Sequence, residues 1–218
     1  MSEAQPAATH DLPPRYLALG DSYTIGEGVA AEGTWPWQLA DDLRAQGFAL
    51  AFPEVIATTG WTTDELAAAI DAAAPQGPYA LVSLLIGVNN QYRGRPLAEY
   101  RQQFEQLLQR AIALAGEDPR RVLVLSIPDW GITPYAAAND RDPAQVAREI
   151  DDFNAAAQAC CGDYGVAFVD ITPASRDGGG LPEMLVEDGL HPSARMYQRW
   201  ADQAVPVAAS LLAAAGDR

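Results

Sequence analysis

Arg15-Tyr16-Leu17-Ala18-Leu19-Gly20-Asp21-Ser22-Tyr23 is the stretch on which the organisation of this chain turns. Arg15 to Leu19 reads as a short apolar strand, and Gly20 ends it where the backbone can turn sharply. Ser22 is then presented at the strand's C-terminal edge, the place where open α/β sheets hold their ligands. A serine hydroxyl is a weak nucleophile alone. It needs a base within hydrogen-bond reach, a group to orient that base, and donors for a developing oxyanion.

Outward from that strand, apolar residues recur at helical spacing from Trp35 to Ala45, and Gly47 is a stop signal. Leu50 to Ile56 predicts a second strand, which Pro53 confines to the sheet edge. Thr62 and Glu65 have the spacing of a capping box and predict a helix to about Ala74. Tyr79 to Ile86 is a nearly continuous apolar run, as in a strand buried on both faces. Leu97, Tyr100, Phe104, Leu107, Leu108 and Ala111 form one apolar stripe on a helix from Pro96 to Ala115.

Arg121 to Ile127 predicts the fourth strand, Asp142 to Cys161 a helix, and Val166 to Ile171 the fifth strand. Asp177-Gly178-Gly179-Gly180 reads as a mobile loop. A closing helix begins near Ser193, and Pro206, which lacks a backbone donor, predicts a kink or restart in it. Five strands alternating with helices imply a parallel sheet covered on both faces, a three-layer α/β/α architecture. Residues 1–14 read as a loose tail and residues 15–218 as a single domain.

The chain has 218 residues, 49% of them hydrophobic, and a formal net charge of -15. That charge disfavours nucleic acid and anionic membrane surfaces as partners. No apolar run is long enough to cross a bilayer, so no integral membrane association is expected. Met1 to Pro14 lacks a basic start and an apolar core of signal-peptide type, from which a cytoplasmic protein is expected. Cys160 and Cys161 are adjacent, and their Cα atoms, about 3.8 Å apart, are too close for an ordinary disulfide; two free thiols are expected.

The chain has two histidines, His10 and His191, and His10 lies in the tail. His191 sits in Asp188-Gly189-Leu190-His191-Pro192, a turn from which an imidazole can reach over the sheet edge to Ser22. Asp188, three residues earlier, can accept the other ring N–H and set which nitrogen faces the serine. Its ordinary use would be to cap the helix, as would that of Ser193. Donors for an oxyanion are the backbone N–H groups of Ser22 and Gly60 and the side-chain amide of Asn89. Taken singly, Gly60 and Asn89 also suit plain turns. Asp21 is expected to bond nearby backbone and shape the turn.

Four blocks carry a family resemblance: Gly20-Asp21-Ser22, Gly60, Gly87-Val88-Asn89-Asn90 and Asp188-Gly189-Leu190-His191-Pro192. In order and spacing, across nearly the whole chain, they resemble the SGNH, or GDSL, hydrolases. Tyr23 departs from the Leu of the family's name, and Asn90 from a frequent Asp, which could alter the network holding Asn89. The resemblance implies a flavodoxin-like SGNH hydrolase fold. It also implies Ser22 as nucleophile, Asp188 and His191 as the rest of a triad, and Ser22, Gly60 and Asn89 as the oxyanion hole, with no metal or cofactor.

The activity so implied is that of a serine ester hydrolase acting through an acyl-enzyme on short or medium acyl esters, a small-molecule ester being the partner. Lysophospholipids and acetylated sugars fall within the same substrate class. An acyltransferase would use the same triad. A different class of protein, a flavodoxin-like phosphate or flavin binder, would cradle an anion in Ser22 to Gly28. Tyr92, Trp130 and Tyr135, with Trp35 and Trp37, fall in or near loops at the site edge and are candidate walls of an acyl or alcohol pocket, core packing being the competing use. Arg93 and Arg95 could meet a phosphate or carboxylate on the substrate, or remain solvated.

Overall fold

The computed structural model describes residues 13–216, so His10 and most of the 1–14 tail lie outside the described residues. In chain order the elements that frame the site are β1 (Tyr16–Gly20), α1 (Ser22–Ile25), α2 (Trp35–Ala45), β2 (Glu54–Ala57), α3 (Thr63–Ala73), β3 (Leu81–Leu85), α4 (Val88–Tyr92), α5 (Leu97–Leu114), β4 (Val122–Leu125), α6 (Pro134–Ala138), α7 (Pro143–Tyr164), β5 (Ala167–Val169), α8 (Thr172–Arg176) and α9 (Ala194–Gly216). The strands form one sheet in the order β2-β1-β3-β4-β5, every neighbouring pair parallel. Helices α2 and α9 pack together on one face, and α3, α5 and α7 on the other. This is the three-layer α/β/α architecture that the alternating pattern implies.

β1 and β3 are buried at every position because helices cover both faces, which is why their sequences are apolar runs without alternation. The α5 stripe of Tyr100, Phe104, Leu107, Leu108 and Ala111 is buried, as predicted. Burying each of its larger side chains contributes roughly 1.5–3 kcal/mol. On α9, Tyr197, Trp200, Ala201 and Ala204 are buried, and they meet the α2 layer.

Four strands are shorter than their apolar runs, β3 losing Tyr79, Ala80 and Ile86 at its ends. β2 starts at Glu54 because Pro53 has no N–H for the ladder, and it lies at the sheet edge, as Pro53 predicts. β4 and β5 stop early because a side chain takes over from the ladder: the Ser126 hydroxyl oxygen accepts the N–H groups of Ile171 and Thr172 at 2.8 and 3.1 Å. At the other end, α7 runs on to Tyr164 and closes on Gly165 in the left-handed conformation, φ 69°.

Of the kink or restart expected at Pro206, the restart does not occur: α9 passes through the proline as one helix, the buried face on both sides outweighing one lost backbone bond. The Asp177–Gly180 segment is packed rather than loose. A Cβ on Gly179 would sit 2.0 Å from the Ser175 carbonyl oxygen and one on Gly180 2.5 Å from that of Ile132, so these glycines serve close approach. Arg199 also holds Asp177 at 2.9 Å. Cys160 and Cys161 are free and buried, and burial raises their thiols to about 11 and about 12.

Candidate active site

Gly20 ends β1 against the Thr24 side chain and the Leu85 carbonyl, where a Cβ would stand 2.1 and 2.5 Å from the nearest atoms. The chain turns directly into α1. Asp21 caps it: Oδ1 accepts the Tyr23 N–H at 3.0 Å, and the carboxyl is fully buried. Burial pushes this carboxyl up to about 7 against the pull of the backbone donor, and its Oδ2 has no hydrogen-bond partner. Asp21 thus shapes the turn that presents Ser22.

The segment from Met184 to Ser193 doubles back on itself. Leu185 bridges Pro192, the Val186 N–H donates to the His191 carbonyl at 2.9 Å, and the Ser193 N–H donates to that of Met184 at 2.9 Å. Within this frame Asp188 spends both oxygens on the turn. Oδ1 accepts the Leu190 and His191 N–H groups at 2.8 and 2.9 Å, and Oδ2 lies 2.6 Å from His191 Nδ1. Burial opposes the Asp188 charge, but the bonds from the ring and the two backbone groups outweigh it and hold the carboxyl below its ordinary value. Ser193 stands at the cap position of α9, its carbonyl accepting the Tyr197 N–H at 3.0 Å, but its hydroxyl turns away and donates to the Glu183 carbonyl.

Ser22 and His191 line one pocket of about 170 Å³ together with Gly60, Asn89, Tyr92, Trp130 and Tyr135. Tyr23, the residue after Ser22, meets the His191 ring edge to face at 5.8 Å between centroids. Asp188 stands behind the histidine, outside the lining. Gly60 occupies a turn closed by the Trp61 N–H on the Thr58 carbonyl, with the positive φ of 87° that a type II turn requires at that place. Among the described residues neither the Ser22 N–H nor the Gly60 N–H has a protein acceptor. Asn89 commits one amide hydrogen to the Trp61 carbonyl at 2.9 Å, leaving the second for the pocket.

Asn90 does not hold Asn89. It clamps the start of α3, accepting the Thr63 N–H at 3.1 Å and donating to the Thr63 hydroxyl at 2.8 Å. The aromatic candidates divide. Tyr92 and Tyr135 join hydroxyls at 3.1 Å, Tyr92 packs edge to face on Trp130 at 5.3 Å, and the Trp130 indole donates to Gln91 at 2.8 Å. The Arg141 guanidinium lies 5.3 Å over both Tyr92 and Trp130. Trp35, by contrast, is wholly buried in the core, and Trp37 stacks on Phe52 at 4.1 Å, so neither lines the pocket.

Arg95 is taken up by Asp64 at 2.5 Å and Glu99 at 3.4 Å, and Arg93 by Gly60 and Glu65, rather than by an open anion site. Thr59, Val88 and Leu190 also line the pocket, though nothing in their side chains distinguishes them in the sequence. The first loop is not shaped to cradle phosphate. Thr24 is buried, and the Glu27 carboxylate accepts the Thr59 hydroxyl. Among the described residues no group of three or more His, Cys, Asp or Glu side chains is placed to hold a metal ion, and no helix is long and apolar enough to cross a membrane.

A parallel α/β/α sheet with a serine, a carboxylate-paired histidine and free N–H donors at one rim has the outline of a hydrolase. The sequence profile of the GDSL-like lipase/acylhydrolase family matches residues 18–199, and the chain belongs to that family, among hydrolases of the esterase and lipase type. Solved structures share the fold. The structure of TesA is 22% identical, covers 90% of this chain and 99% of its own, and superposes with a TM-score of 0.71. The lipase/acylhydrolase from Enterococcus faecalis is 20% identical, with 90% and 96% covered and a TM-score of 0.68. The extracellular lipase from Streptomyces rimosus is 21% identical, with 91% and 99% covered and a TM-score of 0.66. No curated protein sequence matches the chain.

Proposed function

We propose that the protein hydrolyses carboxylic esters of short or medium acyl chains in two steps, with residues 15–218 acting as one catalytic domain. Ser22 Oγ attacks the acyl carbon while its proton passes to His191 Nε2. The carbonyl π bond opens, and its oxygen takes the charge, received by the Ser22 and Gly60 N–H groups and the free hydrogen of the Asn89 amide. As the tetrahedral adduct collapses, the C–O bond to the alcohol breaks and the His191 proton goes to that oxygen. Water then attacks the acyl-enzyme as His191 takes its proton; when this second adduct collapses, the bond from the acyl carbon to Ser22 Oγ breaks, the proton on His191 returns to Oγ, and the free acid departs.

Asp188 stays ionised throughout. Its contact with Nδ1 selects the tautomer that leaves Nε2 free to accept, and it stabilises the imidazolium that forms. Proton transfer and charge stabilisation are both supplied by side chains and backbone. The observation that carries this proposal is that Ser22 and the Asp188-paired His191 line the same pocket.

Acyl length is read from the walls. A pocket of about 170 Å³ is close to the ~150 Å³ cavity that accommodates benzene in an engineered protein. Tyr92, Trp130 and Tyr135 favour an apolar acyl group over a sugar or a charged one. Hydrolysis of a chromogenic butyrate ester that disappears in Ser22→Ala, with unfolding unchanged, is the expected result. A Ser22→Ala protein that hydrolyses at the wild-type rate overturns the proposal. Acyl transfer to an added alcohol would show as product partition in the same assay.

A further inference from the structure

Asn89 on α4 and Arg93, the residue that caps the C-terminus of α4, grip two successive carbonyls of the Gly60 turn. Asn89 Nδ2 donates to the Trp61 carbonyl at 2.9 Å, and Arg93 Nη2 donates to the Gly60 carbonyl at 2.6 Å. The Arg93 N–H donates to the Asn89 carbonyl at 3.1 Å, which carries the helical turn through the cap and sets these residues, four apart, on one face. The same turn is tied a third time, where the Thr59 hydroxyl donates to Glu27 in the loop after α1.

The orientation of the Gly60 N–H depends on this turn. Type I and type II turns differ by a flip of the central peptide, which here is the Thr59–Gly60 unit carrying that N–H. Gly60 has no side chain to resist the flip, and its φ of 87° is freely available to glycine. What resists it is the restraint on the next peptide: a charge-assisted bond from a planar guanidinium, the shorter and stronger kind. The second arm of Arg93 reaches Glu65 Oε2 at 3.4 Å, the carboxylate that also accepts the Thr62 N–H at 2.8 Å. Arg93 is therefore aimed by the cap of α3.

We propose that Arg93 is a positioning residue, holding the Gly60 carbonyl so that the Gly60 N–H faces the oxyanion. This rests on the ester-hydrolase function proposed above. Arg93 does not line the pocket and acts through the turn. A surface ion pair with Glu65 would be an insufficient use of it, since both side chains are about two-fifths exposed, 42% and 41%, and exposed pairs contribute little.

The test is steady-state kinetics of wild type, Arg93→Ala and Arg93→Lys on a neutral short-chain ester, with affinity for an alkyl boronic acid that forms a tetrahedral adduct on serine. Arg93→Ala is expected to lose up to about 10²-fold in kcat with KM nearly unchanged, and boronate affinity should fall in parallel. Arg93→Lys should recover part of the loss, and millimolar guanidinium should partly restore Arg93→Ala. A kcat within twofold of wild type overturns the inference, as does a loss confined to KM or one that guanidinium leaves untouched. Should Arg93→Ala not fold, Arg93→Lys and Arg93→Gln are compared by the same criteria. Wild-type protein inactive on every ester would instead bring down the ester-hydrolase proposal, and this one with it.

Discussion

Asp188 holds His191 at two points, with Oδ2 2.6 Å from the ring Nδ1 and Oδ1 2.9 Å from the backbone N–H. Because one carboxylate fixes both the ring and the chain that carries it, Asp188→Asn should act on rate more than on shape. An amide in its place can present N–H to Nδ1 and favour the wrong tautomer, costing on the order of 10³- to 10⁴-fold in kcat. The carboxyl is held below its ordinary value, so its stabilisation is complete above the unfolded value near 4 and is lost as pH falls through the folded one. The difference in urea midpoint between wild type and Asp188→Asn should accordingly shrink below about pH 4.

Asn89 gives one hydrogen to the Trp61 carbonyl and keeps one for the pocket. Asn89→Ala is expected to lower kcat by about 10²- to 10³-fold while KM stays within a few-fold, since an oxyanion exists in the transition state and not in the bound ester. An effect expressed in KM alone would remove Asn89 from the oxyanion hole.

The hydroxyls of Tyr92 and Tyr135 meet at 3.1 Å across the pocket wall. Tyr135→Ala should open this wall and raise the octanoate-to-butyrate ratio of kcat/KM by roughly tenfold or more, in line with what added methylenes are worth in an apolar pocket. Tyr135→Phe keeps the ring and should leave the chain-length profile in place. A profile identical in all three proteins would place the acyl group elsewhere.

Asp21 is buried, and its carboxyl is pushed up to about 7. Between about pH 4 and 7 the unfolded chain releases this proton and the folded one retains it, so the group costs stability as pH rises through that window, and the cost levels off above the folded value. Asp21→Asn removes the titration. Its urea midpoint relative to wild type should therefore improve from pH 5 to pH 8, and a constant difference would show that Asp21 does not titrate there.

How much of this the sequence discloses depends on whether a property is local. The strand into Ser22, the capping spacing of Thr62 and Glu65 and the α5 stripe are periodic or short-range signals, and the structure follows them. The apolar runs overstate the ends of β4 and β5 because they continue where the Ser126 hydroxyl replaces the ladder, a contact between segments more than forty residues apart. Pro206 signals a restart that does not occur, because backbone propensity carries no knowledge of the packed face around it. The pocket residues Ser22, Gly60, Asn89 and His191 are legible as strand-end loops on a parallel sheet. Arg93 looks like any charged loop residue; its spacing of four from Asn89 is the one signal that could link them.

Gly60, Ser22 and Asn89 follow β2, β1 and β3, three strands that lie side by side, whereas Trp130 and Tyr135 follow β4. Neighbouring strands are separated by about 4.8 Å, and that interval acts as a ruler for the groups proposed to react that no loop can readily stretch. Tyr92 apart, the aromatic wall hangs from that one strand farther out, on segments with their own short helices. Exchange of residues 129–141 should consequently re-tool which acyl groups are admitted while the chemistry beside them keeps its calibration, making that stretch the natural place to graft new selectivity.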